Sequence, residues 1–228
     1  MTNVIKVVRL QLLNRTTYVY MPLLILAGAL LLALLVFALI PTSEAKYGFG
    51  AAGAPLWSFL VVGVQALTLT FPFSQALSIT RRDFHLGTLL TAALTSGMLA
   101  AAFAAIGVIE RATHGWGMNG YVTLPSLGGD APGTAFLAYF VIAMLFFVSG
   151  YFCAAINKRW GALALIAALV GLTLVLAVVI LLVFRAGVAG EVEAWLVAQG
   201  ALGLALWGLA LLAVLGLGSL AVIRRMVP

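Results

Sequence analysis

Polar and apolar positions along the chain alternate in long blocks rather than in short amphipathic periods. Between one charged side chain and the next lie six uncharged windows, residues 16–43, 47–80, 84–109, 131–157, 160–184 and 194–223, each of at least 25 residues. A membrane-spanning helix needs only about 20 apolar residues. The windows therefore predict helices over 21–40, 56–78, 88–109, 134–156, 161–184 and 196–223. They lack the two-residue alternation of a membrane β-strand. A seventh uncharged gap, "ATHGWGMNGYVTLPSLGG" at 112–129, is too rich in Gly, Asn, His and Pro to be read as a span.

Composition places these helices in lipid. Of 228 residues 64% are hydrophobic and 8% charged, against about 25% charged in an ordinary soluble domain. No linker, repeat or soluble domain interrupts the pattern, which predicts a single all-α membrane domain over 1–228. With six spans both termini fall on one side. Lys6, Arg9, Arg15, Arg81, Arg82, Lys158, Arg159, Arg224 and Arg225 gather there, against Lys46, Arg111 and Arg185 opposite. The positive-inside rule makes the side of the termini cytoplasmic, in a bacterial inner membrane. The net charge of +6 is then a product of topology and calls for no nucleic acid. The first apolar run, about 20 residues, exceeds the 7 to 15 of a signal-peptide core, so it is expected to remain as a span. The one cysteine, Cys153, lies within the fourth span, where a packing role is expected.

The densest polar cluster is "SITRRDFHLGTLL" at 78–90, between the second and third predicted spans. Thr80 followed by Asp83 has the spacing of a capping box. Gly87 suits a left-handed cap, and Thr88 suits the start of the next helix. A short surface helix over 81–86 is expected, with Phe84 and Leu86 needing cover from lipid headgroups or another protein.

What is missing narrows the chemistry. The lysines follow Ile5, Ala45 and Asn157, so the chain has no Gly-Lys and cannot build a P-loop. All six acids and both histidines, His85 and His114, fall in predicted loops or at span ends, which disfavours proton-coupled transport. No H-E-x-x-H is present. The Ser-Gly pairs at Ser96 and Ser149 lack the surroundings of an intramembrane nucleophile.

The basic N-terminal stretch "NVIKVVRLQLLNRTTYVY", six spans with both ends inside, and the turn "TRRDFHLGT" together resemble the membrane subunit of a type-2 ATP-binding-cassette (ABC) exporter. The resemblance covers the whole chain in topology and rests chiefly on that turn. It implies that this N-terminal stretch, residues 3–20, is an interfacial elbow helix. It further implies that Arg81, Arg82, Asp83, Phe84, His85, Leu86 and Gly87 form a coupling helix that docks on a cytosolic ATPase. The implied complex holds two ATPase copies, which carry the ATP and Mg, and a second identical or similar permease subunit. This chain would bind no cofactor of its own and would be no enzyme by itself. The competing assignment for Arg81 and Arg82 is simple attraction to anionic lipid headgroups. The competing class is an ATPase-independent channel or scaffold.

Within the spans, Gln65, Thr68 and Gln75 fall near one face of the second, bent by Pro72. They either line a substrate pathway or make interhelical hydrogen bonds worth about 0.6–2 kcal/mol each. Ala92, Ser96, Ala100 and Ala104 of the third span predict close helix packing. On the elbow stretch Ile5, Val8 and Leu12 share an apolar face. The rings of the fourth span, Phe136, Tyr139, Phe140, Phe146, Phe147, Tyr151 and Phe152, are expected to face lipid, with an apolar or amphipathic cargo as the alternative.

Overall fold

The computed structural model describes residues 3–40, 44–123 and 132–224, and these are almost wholly helical. In chain order the helices are α1 (Asn3–Leu13), α2 (Met21–Leu39), α3 (Phe49–Gln65), α4 (Phe71–Ala76), α5 (Arg81–Ala112), α6 (Pro132–Arg185) and α7 (Ala189–Arg224). Two short strands, β1 (Lys46–Tyr47) and β2 (Gly120–Tyr121), pair in parallel. Five stretches among the described residues are long and apolar enough to cross a membrane: Thr16–Leu39, Gly50–Ala76, Arg81–Ala112, Pro132–Arg185 and Ala189–Arg224. Lipid offers the backbone no hydrogen-bond partner, so apolar chain of this length closes its own bonds as helix.

Prolines explain the irregular turns. Wide π turns, Thr16–Tyr20 and Ala66–Thr70, immediately precede Met21-Pro22 and Phe71-Pro72. A proline ring clashes with the carbonyl four residues back and donates no bond to it. Inserting one residue into the preceding turn relieves that clash. The irregular turn that goes with Pro72 is thus residues 66–70.

Two helices are broken at glycine. A straight helix of 54 residues would be about 81 Å long, far beyond a hydrocarbon core of about 30 Å. At Gly161, with φ 85° and ψ 172°, α6 is interrupted. At Gly200, with φ 59° and ψ −174°, α7 turns so sharply that the rings of Trp195 and Trp207 lie 6.1 Å apart. Twelve residues of straight helix would separate them by about 18 Å. The last long apolar helix therefore begins after Gly200, later than the expected 196.

The core forms where α3, α5 and the first half of α6 meet. Gly63 and Gly150 carry the closest approach. A Cβ on Gly63 would lie 2.0 Å from the Phe147 carbonyl oxygen, and one on Gly150 would lie 2.0 Å from that of Leu60. Ala92, Ser96 and Ala100 are buried in the same region, and Ala104 is half-buried. The expectation that the fourth-span rings face lipid fails for three of them. Tyr139, Phe147 and Tyr151 are buried, with Tyr139 stacked on Phe103 at 4.3 Å.

Candidate functional site

The start of α5 gathers most of the polar residues singled out above. Thr80 has extended backbone and its hydroxyl accepts from the Asp83 amide at 3.1 Å, the expected N-cap. The Asp83 carboxylate also accepts from the Asn3 side chain of α1 at 3.4 Å. Arg81 donates to the carbonyls of Ile223 and Arg224, at 3.4 and 3.3 Å, and so satisfies the C-terminus of α7.

Residues 81–87 do not form a separate short helix. They are the first two turns of α5, which runs unbroken to Ala112. Gly87 is not a left-handed cap and Thr88 does not restart the helix. Gly87 is required for another reason: a Cβ there would fall 2.6 Å from Val7 Cβ and 2.9 Å from the Val4 carbonyl oxygen. Helix α1 lies directly on this surface. The buried face of α1 is Val7, Val8 and Gln11, while Ile5 is exposed and Leu12 half-buried. Phe84 is 0% exposed and meets Phe71 edge-on at 5.1 Å. Only Arg82 and Leu86 of the seven residues are exposed. They are four apart and so share a face.

Below this surface lie two buried polar pairs. The Gln11 amide donates to the Thr88 hydroxyl at 2.9 Å. Tyr151 lies 3.4 Å from His85 Nδ1, with the two rings 5.7 Å apart. These two contacts tie α1 and α6 each to α5.

Cations collect at the same end of the bundle. Lys158 sits over the Phe71 ring at 5.5 Å, and Arg159 over Trp160 at 4.2 Å. With Arg81, Arg82 and Arg224 they make a basic surface around the start of α5.

The other end of α5 carries a feature that pattern reading missed. Glu110, 1% exposed, accepts from the amides of Val122 at 2.8 Å and Thr123 at 3.1 Å, from the Thr123 hydroxyl, and from the Trp116 indole at 3.4 Å. It pins the segment after α5, whose strand β2 lies beside β1, with Tyr121 stacked on Tyr47 at 5.9 Å. Lys46 beside it donates to the carbonyls of Phe37 and Ile40 at the end of α2. An acid at the last turn of an apolar helix, before a glycine-rich segment full of free amides, was the available signal.

The pathway trio is not brought together. The π turn at 66–70 adds one residue, which rotates everything after it by about 100° relative to Gln65. Gln65 lines a hollow of about 260 Å³ with Thr17 and Ser58. Thr68 is exposed and bonds back to the Val64 carbonyl, and Gln75 donates to the Ile79 carbonyl. Among the described residues no group of three or more His, Cys, Asp or Glu side chains is placed to hold a metal ion. Compared with protein-family models, with curated proteins and with solved structures, the chain finds no match.

Proposed function

We propose that the chain is the membrane subunit of an ATP-driven exporter of the type-2 ABC kind, working in a bacterial inner membrane with both termini in the cytoplasm. Two copies of a separate ATPase, holding ATP and Mg, act on it, and a second permease subunit completes the pathway. Six spans follow if the breaks in α6 and α7 separate spanning segments. Residues 132–160 and 162–185 are each long enough to cross the bilayer alone. The pairing of Asn3 with Asp83, Arg81 with the end of α7, and Lys158 with Phe71 supports a common side for both termini, the turn at 77–80 and the break at Gly161.

The observation that carries the proposal is the construction of α5. One unbroken helix of 32 residues, about 48 Å long, has exposed Arg82 and Leu86 at one end and the buried Glu110 that grips residues 116–123 at the other. Phe84, His85 and Gly87 lock its first turns to α1, α4 and α6, so a force on Arg82 and Leu86 moves a rigid unit rather than a loose loop. An ATPase closing on that surface would tilt α5 and disturb the opposite mouth, as rigid-body switching requires. Arg82 and Leu86 are then the docking contacts, and Phe84, His85 and Gly87 are positioning residues. The exported compound is expected to be apolar or amphipathic.

Purification tests this directly. Solubilised in mild detergent from the membrane in which it is made, the tagged chain should retain an ATP-hydrolysing protein. Arg82→Glu with Leu86→Glu should release it while melting temperature and helix content stay unchanged, because both side chains are exposed. A wild-type preparation devoid of ATPase would remove the exporter assignment and leave a channel or scaffold. Retention of the ATPase by the double variant would remove the docking role of these two residues.

A further inference from the structure

A cleft of about 420 Å³ opens between α5, α6 and the last half of α7. Its volume lies in the range of about 300–1,000 Å³ usual for small-molecule sites. His85 is its single polar lining residue; Leu89, Met144, Leu212, Leu220 and the rest are apolar. Gly216 lies on its wall. Gly216 is buried, yet a Cβ added there would meet no heavy atom within 4 Å, so the space above it is open.

The polar end of the cleft has a definite character. The Tyr151 hydroxyl lies 3.4 Å from His85 Nδ1, close enough to donate its proton to that nitrogen. In that arrangement the ring proton of His85 sits on Nε2, which makes it a donor. Ala213, Leu217, Leu220 and Arg224 follow at spacings of four, three and four, so Arg224 continues the cleft-facing side of α7 beyond the last apolar residue. The cleft thus has an apolar length ending in a neutral N–H donor and a guanidinium.

We propose that this cleft binds a single-chain acidic amphiphile, a free fatty acid drawn from the bilayer, with its alkyl chain along Leu209–Leu220 and its carboxylate between His85 and Arg224. An acid satisfies both groups at once. A neutral alcohol offers no charge to Arg224, and an alkylammonium would be repelled. The assignment concerns this chain alone and does not depend on its having an ATPase.

Photolabelling provides the test. The purified chain, in nanodiscs of phosphatidylcholine, is irradiated with hexadecanoic acid carrying a diazirine in its alkyl chain, and the labelled peptides are mapped. Adducts should concentrate on residues 85–89 and 209–220, and palmitate should displace the probe about tenfold better than hexadecanol. Gly216→Leu, which fills open space, should lose these adducts with an unchanged melting temperature. Arg224→Gln, at an exposed position, should keep the site but lose the preference for acid over alcohol. Labelling spread evenly over the lipid-facing residues 163–182, survival of the adducts in a folded Gly216→Leu chain, or equal competition by hexadecanol would each overturn the proposal.

Discussion

Glu110 shows how far a single side chain's role depends on what folds over it. In sequence it is one of the acids beyond a span, where acids carry little topological weight. In the structure its two oxygens take four donors from the segment after α5. Glu110→Ala would strand the Val122 and Thr123 amides, and a loss of about 2–4 kcal/mol is expected. Thermal denaturation in detergent measures that loss, and hydrogen exchange at residues 122 and 123 should quicken with it. Glu110→Gln, which keeps one acceptor oxygen, should fall between. Lys46 has a parallel role: counted as an outer positive charge, it is also the cap of α2, through the Phe37 and Ile40 carbonyls.

Among the helices, the decisive contacts are made by residues with no side chain to advertise them. Gly63 and Gly150 let α3 and α6 cross backbone against backbone, a packing device usual between membrane helices. Gly63→Ala or Gly150→Ala is therefore expected to destabilise the chain by about 1–3 kcal/mol, read as a lowered melting temperature. Gly97 is the internal contrast. It is helical with nothing within 4 Å of an added Cβ, so Gly97→Ala should stabilise α5 by about 0.5–1 kcal/mol. The turn between α4 and α5 offers a third case. Ser78 has φ 55°, with Ile79 N bonded to Ser74 O and Ser78 N bonded to Gln75 O, a pattern that ordinarily ends in glycine. Ser78→Gly should raise the melting temperature, by up to about 1 kcal/mol of relieved strain.

For the whole molecule the test is sidedness. In a Cys153→Ala background, single cysteines at Arg159 and Arg82 should react with an impermeant maleimide only from the cytoplasmic face, and cysteines at Lys46 and Glu193 only from the opposite one. Reaction of Arg159→Cys and Lys46→Cys from the same side would break the proposed six-span arrangement. The lever attributed to α5 needs this sidedness, because Arg82 and Glu110 must stand on opposite faces of the membrane for one helix to link them.

Membrane class and the approximate position of every long helix were readable from spacing alone. Lipid forces apolar chain into self-satisfied helix, and the bilayer's thickness dictates how long each must be. The cap at Thr80 was equally local, a hydroxyl and an amide three residues apart. Which face of each helix is buried was not readable, since lipid and protein interior are both apolar and no polar stripe separates them. That is why Tyr151 and Phe147 belong to the core while Leu174 and Val175 are exposed. It is also why the burial of Phe84 against Phe71 of α4 could not be foreseen. The crossing at Gly63 and Gly150, the grip of Glu110 and the cleft beside His85 each join residues from separate helices, and only their packing in three dimensions could bring them together.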